Sequence, residues 1–334
     1  MNQPLVTVLM PVYNGEAFLR EAIDSILNQT FSDFEFLIIN DGSTDSTEAI
    51  IKSYNDPRIN YHKNEQNIKL IATLNKGLAL ARGKYIARMD ADDISLPDRL
   101  EKQVHFMEKN PEVVACGTWA ESFGVDNAFV KYEAGHQDIM FKMLYQCHLV
   151  HPTVIMRTQE VQSFKPQFDF NFAHAEDYDF FVRLGYKYRL ANLQQVLLKY
   201  RSHAQSVSKA YDEVQKSNSN IIRHSEFVHL GYPVSGQLVA DFAVLNHHAY
   251  SKVKSSPAEI KTMFEGMLNA NLKSHVFDNT FLEKKLSYLW FHYCYKVTTP
   301  NVFYSSKILS KHSKPTALQK AKWIVKKLRP NTNA

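Results

Sequence analysis

In the first ninety residues, short apolar runs alternate with segments of helical periodicity, and this order leaves few folds open. Residues 5–12 are almost wholly apolar, as expected for a strand buried on both faces. Asn14-Gly15 breaks the run, after which Ala17, Phe18, Ala22, Ile23, Ile26 and Leu27 recur at helical spacing. Residues 34–39 form a second buried strand, ended by Asn40-Asp41-Gly42, and Ser43 and Thr44 are placed to cap a helix reaching Tyr54. A strand at 59–62, a helix at 70–81 closed by Gly83, and a strand at 85–89 follow. The β-α-β-α-β-α-β order predicts an open, mostly parallel sheet covered by helices. In such sheets ligands lie at the carboxyl ends of the strands, which here carry Tyr13-Asn14, Asp41 and Asp90.

From about 95 to 205 the pattern is less regular, with helices expected at 97–109, 136–146 and 176–185 and strands near 113–117, 153–156 and 196–201. Beyond 208 the chain reads as helical, with turns at 231–233, 255–257 and 299–300. This divides it into a strand–helix region, 1–207, and a helical C-terminal region, 208–334. At 45% hydrophobic and 22% charged residues, a mostly disordered chain is excluded. Three scattered cysteines, Cys116, Cys147 and Cys294, exclude a disulfide scaffold and suit a reducing cytoplasm. The N-terminus lacks a basic leader and reads as a strand, and no apolar run approaches the length of a membrane span.

The net charge of +5 conceals a split. Residues 1–207 carry 21 Lys and Arg against 26 Asp and Glu, whereas 208–334 carry 18 against 8. No acidic residue follows Glu283, but eleven basic ones do. Such asymmetry points to a polyanionic partner for the tail.

Asp90-Ala91-Asp92-Asp93 follows the fourth strand directly. Clustered carboxylates repel one another and call for a cation or donor groups. A hard divalent ion such as Mg²⁺ or Mn²⁺ takes oxygen ligands of this kind, and a turn capping the helix near Pro97 is the plainer use. An EF-hand fails, because Ile94 and Ser95 stand where an oxygen ligand and a glycine are needed. Asp41 suits a base or ribose at the sheet edge, or a simple turn. Glu176-Asp177-Tyr178-Asp179 opens a helical segment, where acids favour the helix dipole and one of them could equally act as a general base. His203 is one of fourteen histidines. Neither the dinucleotide glycine fingerprint nor a phosphate loop is present.

Taken together, the motifs at 10–14, 39–45, 83–93, 151–153, 175–180 and 200–208 resemble family 2 glycosyltransferases, in that family's order and spacing. The resemblance covers about residues 4–208 and implies the GT-A fold, with its Rossmann-like, mostly parallel sheet, followed here by a helical extension. Within the family the chain is similar to bacterial lipooligosaccharide and capsule enzymes that add galactose or N-acetylhexosamine. The resemblance implies inverting transfer from a UDP-sugar to a hydroxyl of a cell-surface glycan precursor, with Mn²⁺ or Mg²⁺ as cofactor. It places uracil over Pro11, Val12 and Tyr13, beside Asn14, to be read by Asp41. Asp90 would hold the ribose, Asp92 and His203 the metal, and Asp177 would be the base, with Glu176 raising its pKa. Many members have Gly and Arg where this chain has Lys69 and Leu74, so that arginine's nucleotide contact falls to Arg88 or Lys69. A sugar nucleotidyltransferase and a silent glycan-binding scaffold are the competing classes. The first would show a glycine-rich loop after its first strand, and the second would not need the acidic clusters.

In the tail, Leu318, Ala321, Ile324, Val325 and Leu328 recur at helical steps, with Lys320, Lys322, Lys326, Lys327, Arg329 and Trp323 around them. A basic amphipathic helix over 314–329 can lie on an anionic membrane, gaining about 1 kcal/mol per Lys or Arg near the surface. No nucleic-acid motif accompanies the charge. The 288–293 aromatic run is too short to span and reads as packing surface. The expected location is cytoplasmic, peripheral on the inner face of the cytoplasmic membrane. Deletion of 314–334 should release the protein from anionic vesicles in low-salt sedimentation; an unchanged pellet would defeat the membrane assignment.

Overall fold

The computed structural model describes residues 3–203, 211–298, 300–312, 315–317 and 319–320. The first compact unit comprises residues 1–143 and 147–219 and the second 144–146 and 220–334. The strands are β1 (Val6–Val12), β2 (Phe34–Asn40), β3 (Ile59–Lys63), β4 (Tyr85–Arg88), β5 (Ile94–Ser95), β6 (Val113–Gly124), β7 (Ala128–Val130), β8 (Ile155–Arg157) and β9 (Arg189–Ser202). The first unit's helices are α1 (Leu19–Leu27), α2 (Thr47–Lys52), α3 (Leu70–Leu80), α4 (Arg99–Lys109), α5 (His136–Met143), α6 (Thr158–Ser163) and α7 (Glu176–Lys187). The division at 219/220 falls within α8 (Asp212–His229).

The nine strands form one sheet in the order β3-β2-β1-β4-β8-β6-β9-β5, with β7 beside β6. It is parallel through β3-β2-β1-β4, with Val6 opposite both Phe34 and Tyr85. β8 enters antiparallel between β4 and β6, and β6 and β9 run parallel. The α/β fold expected from the strand–helix order is present. Every residue of β1, β2 and β4 is buried, which explains the continuous apolar runs. Leu19, Ala22, Ile23 and Ile26 of α1 bury into the same core as Val8, Met10, Ile38 and Ala87. Each large aliphatic side chain so buried contributes about 1.5–3 kcal/mol.

Several local expectations are corrected. Ser43 and Thr44 do not cap α2, which starts at Thr47. Instead Ser43 Oγ accepts from the Asn14 N–H at 2.9 Å, and the Thr44 N–H donates to Asn14 Oδ1 at 2.9 Å. Gly83 is not a helix cap either, because α3 ends in extended backbone at Ala81. A Cβ on Gly83 would stand 2.5 Å from Thr7 N and 2.6 Å from Val6 C, so the glycine lets the chain pass against β1. The strands expected at 113–117 and 196–201 extend over 12 and 14 residues. Their mutual pairing, with register shifts near Thr118–Ala120, scrambles the alternation that would have revealed them. The helix expected over 136–146 stops at Met143, and the short β5 and β7 carry no periodic signal.

The second unit's further helices are α9 (Gly236–Asn246), α10 (Pro257–Ser274), α11 (Asn279–Val297) and α12 (Pro300–Tyr304). Ser256 and Glu259 form a reciprocal capping box at the start of α10. Phe227, Phe242, Phe264, Trp290 and Tyr293 are buried. The Trp290 indole donates to the Phe303 carbonyl at 3.1 Å, so much of the 288–293 aromatic run is core. No described helix is long and apolar enough to cross a membrane. Of the 314–329 segment, all but 315–317 and 319–320 lies outside the described residues.

Gly83→Ala is expected to destabilise the chain by about 1–3 kcal/mol through forced backbone movement. Gly135→Ala, where a Cβ meets nothing within 4 Å, should change stability by less than about 0.5 kcal/mol. Urea unfolding of the two variants checks the contrast.

Candidate functional site

The carboxyl ends of β1, β2 and β4 bring the expected residues to one edge of the sheet. Pro11 and Val12 are buried within β1, whereas the Tyr13 ring just beyond it is 48% exposed. Asn14 has a positive φ of 49°, and its bonds to Ser43 and Thr44 join the loops after β1 and β2. The Glu16 N–H adds a bond to Asp45 Oδ2 at 3.0 Å, and the Ser46 N–H donates to Glu16 Oε2 at 2.9 Å. Four polar links thus clasp two loops that the sequence presents as independent turns.

Asp41 is 4% exposed, and its Oδ1 accepts from Asn64 Nδ2 at 2.8 Å and from the Ile68 N–H at 2.9 Å. Its neighbour Gly42 has φ +70°, and a Cβ there would meet the Gln66 backbone at 2.6 Å. Asp41 is therefore fixed in position and is more than a turn residue. Lys69 is exposed, and Leu74 is fully buried in the core, so position 74 offers nothing to a ligand.

At the end of β4, Arg88 is 2% exposed and forms an ion pair with Asp90. Its Nε has no hydrogen-bond partner. Arg99, completely buried, donates to the Arg88 carbonyl at 2.6 Å. Burial lowers its pKa to about 9. One carboxylate oxygen from each of Asp90, Asp92 and Asp93 lies within 4.8 Å of the others. Asp93 is buried and takes the Arg201 N–H at 2.8 Å, while Arg201 Nε donates to the Asp92 carbonyl at 2.7 Å. The acidic turn does not cap α4, whose N-cap is Asp98. It is instead tied to the end of β9. His203 follows β9 by one residue and sets Nε2 3.0 Å from Asp92 Oδ2. Burial first, then repulsion from Asp90 and Asp92, pushes Asp93 well up, and burial likewise raises Asp90 against the pull of Arg88.

Carboxylate oxygens with one imidazole nitrogen beside them fit a divalent ion such as Mn²⁺ or Mg²⁺. Asp92 and His203 face each other, and Asp90 and Asp93 add charge beside them. Asp93 Oδ2 is buried without a hydrogen-bond partner, an acceptor that a bound cation would satisfy.

At the N-terminus of α7, Asp177 Oδ1 accepts from the Tyr178 N–H at 2.7 Å. Burial raises its pKa, and Arg88 opposes that rise. Glu176 is raised to about 7, by burial first and by the charge of Asp177 second. The pair repulsion thus appears most clearly on Glu176. Asp179 is committed elsewhere: it pairs with Arg183 at 2.6 Å, and Arg183 also donates to the carbonyls of Pro166 and Gln167. No acid side chain caps the helix. The Arg88 charge acts on Asp90, Glu176 and Asp177 together, and on His151, whose Nε2 is buried without a partner. The acidic turn and the start of α7 therefore both feel the charge of Arg88. Arg201 and Arg99 were unassigned at the level of sequence. An arginine between two motif residues, or one a few residues past an acidic turn, was the only available signal.

Residues 7–163 match the family described as glycosyl transferase family 2. An uncharacterized glycosyltransferase of Haemophilus influenzae is 35% identical over 241 residues, which span 68% of this chain and 75% of that protein. WfgD of Escherichia coli, a UDP-Glc:alpha-D-GlcNAc-diphosphoundecaprenol beta-1,3-glucosyltransferase, is 30% identical over 62% of this chain and 81% of its own. Among solved structures, S. aureus TarS 1–349 in complex with UDP-GlcNAc superposes with a TM-score of 0.58 at 17% identity, covering 98% of this chain and 93% of that one. At that identity the likeness speaks for the fold alone.

Arg88→Met should cost about 3–5 kcal/mol in urea unfolding, because it strands a partly buried carboxylate. A loss below about 1 kcal/mol would show that Asp90 does not depend on this partner.

Proposed function

Because the chain belongs to glycosyl transferase family 2, we propose that it moves a hexose or N-acetylhexosamine from a UDP-sugar, with inversion, to a hydroxyl of a lipid-linked or cell-surface glycan precursor. The observation that carries the reading is the grouping of Asp90, Asp92, Asp93 and His203 within the field of the same arginine that acts on Asp177. A donor pyrophosphate and an acceptor base need this adjacency. The name of the E. coli relative, with a UDP-sugar donor and a diphosphoundecaprenol-linked acceptor, supports both substrate classes.

Tyr13 offers the exposed ring for uracil at the end of β1, and Pro11, Val12 and Asn14 shape the backbone beneath it. Asp41, held by Asn64 and Ile68, presents its second oxygen to the base. Asp90, steadied by Arg88, takes the ribose. Arg88, almost fully buried, holds Asp90 through their ion pair. Asp92 and His203 would hold a Mn²⁺ or Mg²⁺ ion, which would supply positive charge to offset that developing on the departing diphosphate.

Asp177 takes the proton of the acceptor hydroxyl as that oxygen bonds to C1 of the donor sugar. The C1–O bond to UDP breaks with its electron pair on the phosphate oxygen, and a single displacement inverts C1. The raised pKa of Asp177 makes it a better proton acceptor than an ordinary carboxylate, while Arg88 keeps that rise in check. The basic segment 314–329 supports placement at an anionic membrane surface, where a lipid-linked acceptor resides.

Asp177→Asn should lower kcat by about 10²–10⁴-fold with donor KM little changed; near wild-type turnover would remove the base. Asp92→Ala and EDTA treatment should each abolish metal-dependent UDP binding in calorimetry, and full binding in EDTA would remove the metal. Since Asp177 must be ionised and its pKa is raised, kcat should fall as the pH drops, with the acid limb above the ordinary aspartate range.

A further inference from the structure

The loop entering α7 carries an aromatic surface that the donor residues leave unused. Its His174 lies in the left-handed region, with φ 67°. The His174 ring stacks on Tyr211, with centroids 4.0 Å apart and planes 9° from parallel. Tyr211 precedes α8 and is 50% exposed. Two side chains of α8 hold the loop: Gln215 Nε2 donates to the His174 carbonyl at 2.9 Å, and Asn218 Nδ2 to the Ala173 carbonyl at 2.8 Å. The stacked rings are thus anchored to the backbone that positions Glu176 and Asp177.

A tyrosine fixed in this way gives a flat, amphipathic face at little further entropic cost. We propose that the Tyr211–His174 stack is the acceptor subsite, on which a pyranose ring lays an apolar C–H face while one of its hydroxyls reaches Asp177. The assignment rests on Asp177 being the base. It names the acceptor's terminal unit as a pyranoside rather than a bare lipid phosphate or a protein side chain. His174 backs the platform, and Tyr211 meets the sugar.

Methyl β-glycosides of glucose, galactose and N-acetylglucosamine serve as probes in saturation-transfer NMR on the full chain, with UDP and Mn²⁺ present. The wild type should give a signal with at least one of them. Tyr211→Ala should reduce that signal at least about five-fold, the loss of one stacked ring face, whereas Tyr211→Phe should retain it. His174→Asn, which tolerates the left-handed backbone, should weaken it as well. UDP affinity by calorimetry should stay within about two-fold in every variant, since none of these residues belongs to the donor site. An undiminished signal in Tyr211→Ala, or no signal with any glycoside from a wild type that binds UDP, overturns the platform. Failure of the wild type itself to bind UDP overturns the donor reading, and the platform with it.

Discussion

One buried guanidinium organises the end of the sheet. Arg88 terminates β4, pairs with Asp90, and has its carbonyl held by the buried Arg99. A cation there would be untenable alone, and so would the carboxylates around it. Together they are tolerable, because each removes part of the other's desolvation cost. The same charge also opposes the burial-driven pKa rise of Glu176 and Asp177, despite the long stretch of chain between them and the acidic turn.

The second constraint is polar and local. The loops after β1 and β2 are bound by the Asn14, Ser43, Thr44, Glu16, Asp45 and Ser46 contacts, and the acidic turn is bound to β9 through Arg201. Loops at strand ends carry function when a rigid scaffold positions them. Here the rigidity comes from the fully buried strands and from side-chain bonds between loops.

The α/β order was legible because β1, β2 and β4 are buried on both faces and leave unbroken apolar runs. The motif residues were legible through their resemblance to a family. The lengths of β6 and β9 were not, since their pairing contains register shifts and the outer stretches are partly exposed. The assignments to Ser43, Thr44 and Gly83 failed for a common reason. A residue suited to a cap is equally suited to a link between loops or a close backbone approach, and only the partner decides which.

The sequence by itself determined the strand–helix alternation, the charge split between the two regions, and which carboxylates stand at strand ends, because these are properties of local pattern. Tertiary structure decided which carboxylates are free to act. It committed Asp179 to Arg183 and Asp93 to the Arg201 backbone, and it aimed His203 at Asp92. It also buried Arg88 and paired it with Asp90. Those outcomes depend on which groups meet across many residues of chain, and on the dielectric they meet in, neither of which a residue's neighbours in sequence can specify.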